Sequence, residues 1–139
     1  MREIKFRAYA ADEEKMYDDV IVTGGLIHLR WSEAGYEFSN FVSDWSDYYN
    51  KNVYTVMQYT GLRDQEFTEV IESDIVQNER GNKYVVIEQF GCFGVEREQR
   101  ISFTGDIQYA PVFVPLYHII EDLVVIGNVF ENKELLEGE

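Results

Sequence analysis

The fold is decided by Val56-Met57-Gln58-Tyr59-Thr60-Gly61-Leu62-Arg63-Asp64, with Val70-Ile71-Glu72-Ser73-Asp74-Ile75-Val76 shortly after it. β-branched and aromatic residues dominate both runs, as suits a pleated, half-buried surface. The first run reads as a strand from Val53 to Tyr59 that ends at Thr60-Gly61. In the second, Phe67 to Ile71 and Ile75-Val76 are short strands, and Glu72-Ser73-Asp74 between them has the composition of a turn.

The same pattern extends toward both ends. Ile4, Phe6 and Ala8 alternate with Lys5 and Arg7, which predicts a strand with one wet face. Asp12-Glu13-Glu14-Lys15 is a polar turn, and Met16-Tyr17 starts the return strand. Val20-Ile21-Val22 and Leu26-Ile27-His28-Leu29 flank Gly24-Gly25, a pair that supplies the positive φ of a tight hairpin. Toward the C-terminus, Glu79-Arg80-Gly81-Asn82 closes a hairpin onto Lys83 to Phe90. Ile101-Ser102-Phe103, Val112 to Ile120 and Leu123 to Phe130 are further strands, and Gly127-Asn128 permits a bulge in the last. Asn132 is placed to cap a short final helix with Leu135 and Leu136 turned inward. Residues 32–52 lack a period and read as a long surface loop or a short irregular helix. The expectation is a mainly β protein: one domain over residues 1–139, barrel- or sandwich-like, built of short antiparallel strands with minor helix.

Composition agrees. A chain of 139 residues can bury a core without staples, and an apolar fraction of 45% is too high for disorder. The single cysteine, Cys92, excludes an internal disulfide. The charged N-terminus has no signal-peptide core, and the longest apolar run, Ala110 to Ile120, is too short for a bilayer and contains Pro111 and Pro115. These features predict a cytoplasmic protein. The net charge is −14, and both halves of the chain are acidic. Binding a phosphate backbone needs clustered Lys and Arg, but Arg97 and Arg100 are interleaved with Glu96 and Glu98. Direct binding to nucleic acid or to an anionic membrane is not expected.

Three stretches resemble the YopX family, small proteins found mainly in phages and prophages. They are Met1 to Ala8 with Lys15-Met16-Tyr17; Val56 to Asp64 continuing into Val70 to Val76; and Val125-Ile126-Gly127-Asn128-Val129-Phe130-Glu131-Asn132, ending in Glu134-Leu135-Leu136. Two positions depart from the family pattern. Ser73 stands where Gly is usual before the aspartate, so a different local backbone is expected. Lys133 replaces the Pro after the late Asn, which should weaken the final helical turn. The resemblance implies a mostly β fold and a phage or prophage setting in a bacterial host cell; it implies no catalytic residue. All three motifs also have a complete reading as strand ends, turns and a bulge.

No chemistry-bearing pattern emerges. His28, His118 and Cys92 are too few and too scattered for a zinc site, and each histidine reads as a strand residue inside an apolar run. Gly91-Cys92-Phe93-Gly94 reads as a tight turn, and a lone Cys is usually inert packing. Asp44 and Asp47 fail the calcium-loop pattern, with Tyr49 where its Gly belongs and Thr55 where its Glu belongs. No phosphate loop or nucleophile elbow occurs. No catalytic, metal or cofactor site is expected.

The remaining feature is the aromatic group Tyr36, Phe38, Phe41, Trp45, Tyr48 and Tyr49 in the unpatterned segment. Such residues can plug the open end of a barrel. They are also the types enriched at interface hot spots. The polar neighbours Ser43, Asp44, Ser46, Asp47 and Asn50 mark Trp45, Tyr48 and Tyr49 as candidate contact residues. The sequence therefore points to a non-enzymatic accessory module with a protein partner. The alternatives are an acidic nucleic-acid mimic and a small enzyme. In a gel-shift assay at physiological salt, no saturable binding to duplex DNA is expected at micromolar protein.

Overall fold

The computed structural model describes residues 4–11, 13–23, 26–32, 35–41, 54–103 and 105–137. The fold is mainly β, and every strand pairing described is antiparallel. The chain divides into two compact units, residues 1–61 and 62–139.

The first unit is a meander of β1 (Phe6–Ala10), β2 (Lys15–Thr23), β3 (Leu26–Ser32) and β4 (Gly35–Phe41), joined by β5 (Tyr54–Arg63), which runs past the unit boundary. The strands follow the order β4-β3-β2-β1-β5, so the N-terminal strand is flanked on both sides, by β2 and β5. Thr23 pairs with Leu26, as the Gly24-Gly25 hairpin requires, and Ala10 pairs with Lys15. The pleat sends Ala8 and Ala10 to a core with Tyr17, Val20 and Tyr54. Alanine at two central positions leaves room for the tyrosine rings, and Tyr17 and Tyr54 meet edge to face at 6.3 Å. Residues 35–41, expected to be irregular, form a strand. β4 pairs along β3 with shifts at Leu29/Arg30 and Arg30/Ser32. The alternation of Tyr36 and Phe38 with Glu37 and Ser39 breaks at Asn40-Phe41, so the strand carries only a short period.

The second unit holds β6 (Glu69–Ile71), β7 (Asp74–Gln77), β8 (Lys83–Val85), β9 (Ile87–Gln89), β10 (Cys92–Phe103), β11 (Asp106–Pro115), α1 (Leu116–Ile119) and β12 (Val124–Asn128). β12-β7-β8 and β11-β10-β9 are three-stranded sheets. The core comprises Val70, Val76, Val86, Val95, Leu116, Ile120 and Leu123. The expected strand from Lys83 to Phe90 divides at Val86. There the backbone turns to donate to the Asp74 carbonyl (2.9 Å) and to accept from Ser73 N–H (2.8 Å). The expected strand Val112 to Ile120 stops at Pro115, whose φ of −58° leads into α1 and a 3-10 turn over Ile120–Asp122. β5 does not end at Thr60-Gly61. Gly61 takes φ +86°, and the strand continues to Arg63.

Two buried aspartates set the turns. Asp64, 5% exposed, accepts from Glu66 and Thr68 N–H through Oδ1, both at 2.8 Å, and from Val125 N–H through Oδ2 at 2.8 Å. It closes the β5–β6 turn and also holds β12, 61 residues away in the chain. Asp74, 2% exposed, accepts from Ile71 N–H at 2.8 Å across the Glu72-Ser73 turn. Contrary to the sequence expectation, Ser73 keeps a glycine-like φ of +74°. Its N–H bonds to Val86 and its carbonyl accepts from Val129 at 3.0 Å, so tertiary hydrogen bonds offset the local strain.

The late Gly127-Asn128 motif is a second lock. β12 bulges between Val125 and Gly127, as expected. The Asn128 side-chain oxygen accepts from Phe130 and Glu131 N–H, at 3.0 and 2.8 Å. Asn132 does not cap the following 3-10 turn (Lys133–Leu136). Its Oδ1 instead accepts from Asn128 N–H at 3.1 Å. A Cβ on Gly127 would lie 2.6 Å from that oxygen, which accounts for the glycine. Leu136 points outward at 43% exposure rather than inward, and the terminal turn is held by Lys83 Nζ donating to the Leu135 carbonyl at 2.8 Å.

An amide carries one acceptor oxygen, so in Asp64→Asn at least one of these backbone N–H groups faces an NH₂, whichever way the amide flips. Denaturant unfolding should show Asp64→Asn destabilised by about 1–3 kcal/mol and Asp64→Ala by more, because Ala orphans all three donors.

Candidate functional site

Most turns in the second unit obey local chemistry, but two hairpin tips do not. In the β9–β10 hairpin Gln89 pairs with Cys92, so the loop is Phe90-Gly91 alone. Its φ angles, +54° and +80°, are those of a type I′ turn, where Asn-Gly or Asp-Gly is the usual solution. Phe occupies the first position and is 97% exposed. Gly91 N–H donates to Glu88 Oε1 at 3.0 Å, which fixes the tip. The β5–β6 hairpin repeats the anomaly. Phe67 N–H donates to the Asp64 carbonyl, Asp64 N–H donates to the Thr68 carbonyl, and Phe67 lies between at φ +66°. This is the left-handed place that a three-residue loop gives to Gly. Phe67 is 78% exposed. Left-handed backbone costs a residue with a Cβ about 1–2 kcal/mol. Neither ring offsets that cost by burial, so stability does not explain either side chain.

A polar groove of 370 Å³ lies beside the β7–β8 loop, with Arg80, Asn82, Tyr84 and Arg97 on its walls. Arg80 comes from a loop that Asn78 ties shut, its Oδ1 accepting from Arg80 and Asn82 N–H at 3.0 Å each. Gly81, at φ +87°, completes the turn. Arg97 comes from β10 and Tyr84 from β8.

The sequence candidates fall as follows. Trp45, Tyr48 and Tyr49 lie outside the described residues. Tyr36, Phe38 and Phe41 are in β4. His28 is in β3 as expected, whereas His118 is in α1, exposed, with its ring 4.2 Å from that of Tyr117. Cys92 is not in a turn. It opens β10, half-buried, with its thiol donating to the Phe93 carbonyl at 3.5 Å. Among the described residues no group of three or more His, Cys, Asp or Glu is placed to share a metal ion, and no helix is long and apolar enough to cross a membrane. Sequence reasoning missed both phenylalanine tips. The signal was present in Phe90-Gly91 followed by strand, but the turn was assigned two residues too late, over Gly91 to Gly94 instead of Gln89 to Cys92.

The family model for the YopX protein matches residues 5–137, nearly the whole chain. The chain belongs to the YopX family. The YopX motifs therefore have structural roles here: Asp64 and Asp74 hold turns, and Gly127, Asn128 and Asn132 form the β12 lock. Among solved structures, the chain is similar to protein EF1440 from Enterococcus faecalis, at 24% identity and a TM-score of 0.53, covering 99% of this chain and 100% of that one. That likeness is one of fold. No curated protein sequence matches.

Phe90→Asn installs the preferred Asn-Gly turn and removes only an exposed ring. Thermal or denaturant unfolding should show a gain of about 0.5–1 kcal/mol.

Proposed function

We propose that this YopX-family protein is a non-enzymatic interaction module, acting in a phage or prophage setting, whose contact residues include the phenylalanines at its hairpin tips. The observation that carries this reading is Phe90: fully solvent-exposed, in a left-handed turn position, on a rigid two-residue loop. A large apolar ring held outward against both solvation and backbone preference suits insertion into a pocket on another protein. A two-residue turn also presents the ring with little conformational entropy left to lose on binding. Phe67 supports the reading, because the same violation recurs at a second tip. The chain's charge of −14 favours a partner whose pocket is rimmed by basic residues.

The test is photo-crosslinking in infected or lysogenic bacteria. A benzophenone amino acid in place of Phe90 should give one discrete adduct, and the same reporter at the exposed Glu96 should not. Equal adducts from both positions, or none from position 90, would refute the assignment.

A further inference from the structure

The groove beside the β7–β8 loop adjoins a second cavity of 230 Å³. The two share three wall residues, Asn78, Glu79 and Asp122. Their ends differ in chemistry. One end carries Arg80, Arg97 and Tyr84; the other carries Val124 and Ile126 with the amides of Gln65 and Gln77.

We propose that this bipartite cleft binds a single carboxylate carried on a short apolar body, with the carboxylate between Arg80 and Arg97 and the apolar part over Val124 and Ile126. This goes beyond the hairpin tips and does not depend on them.

Three observations carry it. First, no hydrogen bond or ion pair joins either guanidinium to a described residue, whereas Arg63 bonds to Glu69 at 3.4 Å. Two uncommitted guanidinium forks facing one groove match the planar, bidentate needs of a carboxylate. Second, the scaffold is fixed before any ligand arrives. Asn78 closes the loop that carries Arg80, and Gln77 Nε2 donates to the Gly81 carbonyl at 3.2 Å. Tyr84 is half-buried against the core of the second unit. Third, the shared wall limits the charge a ligand can bring. Glu79 and Asp122 balance the two arginines, so a polyanion gains nothing from entering, while one carboxylate at the arginine end keeps its bidentate partners. The same wall carboxylates and the glutamine amides can accept N–H groups of an amide-bearing ligand. The chemistry fits both the C-terminus of a peptide and a free organic acid with a short alkyl chain.

Backbone amide NMR on the full chain tests this. The probes are N-acetyl-Leu-Val with a free carboxylate, the same peptide amidated, hexanoate, and inorganic phosphate. The free-acid peptide should move the amides of residues 78–82, 97 and 124 in a saturable way, with half-saturation below about 1 mM. Amidation should weaken binding by about tenfold or more, as should Arg80→Gln or Arg97→Gln. Lys133→Gln, which removes a positive charge outside the cleft, should leave affinity within about twofold. Tight peptide and weak hexanoate binding identifies a peptide terminus; comparable binding identifies a free acid. Equal response to acid and amide, binding of phosphate as strong as either carboxylate, no saturable shift, or an unchanged affinity in both arginine variants would each overturn the proposal.

Discussion

A carboxylate removed from water must be satisfied by donors, and Asp64 is satisfied entirely by backbone. Its two oxygens take N–H groups from Glu66, Thr68 and Val125. The first two belong to the turn that Asp64 itself opens. The third belongs to β12, which no local force could bring there. One side chain thus links a hairpin to the far end of the sequence. The arrangement is self-reinforcing: any opening of β12 strands a buried acceptor, and any loosening of the turn strands two donors. Gln65 N–H, donating to the Leu123 carbonyl at 3.0 Å, adds to the same junction. β12 in turn pairs with β7, which Asp74 fixes after its turn. The β12-β7-β8 sheet, and with it the loop that carries Arg80, rests on these two acids.

Among the described residues, the four non-glycine positions with positive φ, Glu14, Phe67, Ser73 and Phe90, separate into kinds. Ser73 is compensated: its N–H and carbonyl both bond to distant backbone, and the neighbouring Asp74 is buried. Phe67 and Phe90 have turn hydrogen bonds, but their rings contact little and shield little. A sequence under selection for stability alone would carry Gly or Asn at both places. Elsewhere in the same unit Asp74, Asn78 and Asn128 side chains satisfy turn backbone, so these two uncompensated phenylalanines stand against a background of ordinary turn chemistry.

The candidate site was legible only in part. Arg97 was visible in the sequence, but its neighbours Glu96 and Glu98 made it look like one member of a mixed-charge run. Strand alternation separates adjacent side chains onto opposite faces of β10, and this frees Arg97 to share a groove with Arg80, 17 positions earlier in the chain. Asp122 lies between the two runs that read as strands, Val112 to Ile120 and Leu123 to Phe130, and the break at Pro115 with the ensuing 3-10 turn brings it to the same groove. The phenylalanine tips escaped because turn signals are read from Gly, Asn and Asp, and here the decisive residue is of the wrong type for its position.

Local sequence sufficed for the β class, the antiparallel hairpins around Gly24-Gly25 and Gly81, the bulge at Gly127 and the family. These depend on period-two alternation and on backbone demands confined to a few neighbouring residues. Tertiary structure alone decided where the strands stop. β5 runs past Gly61 because Asp64, three residues on, finds its partners. The run from Lys83 divides at Val86 because Asp74 and Ser73 claim its hydrogen bonds. Ser73 adopts a glycine's conformation because Val86 and Val129 hold it there. In each case a long-range hydrogen bond, worth more in a dry interior than the local preference it overrides, sets the outcome, and no window of local sequence contains both of its ends.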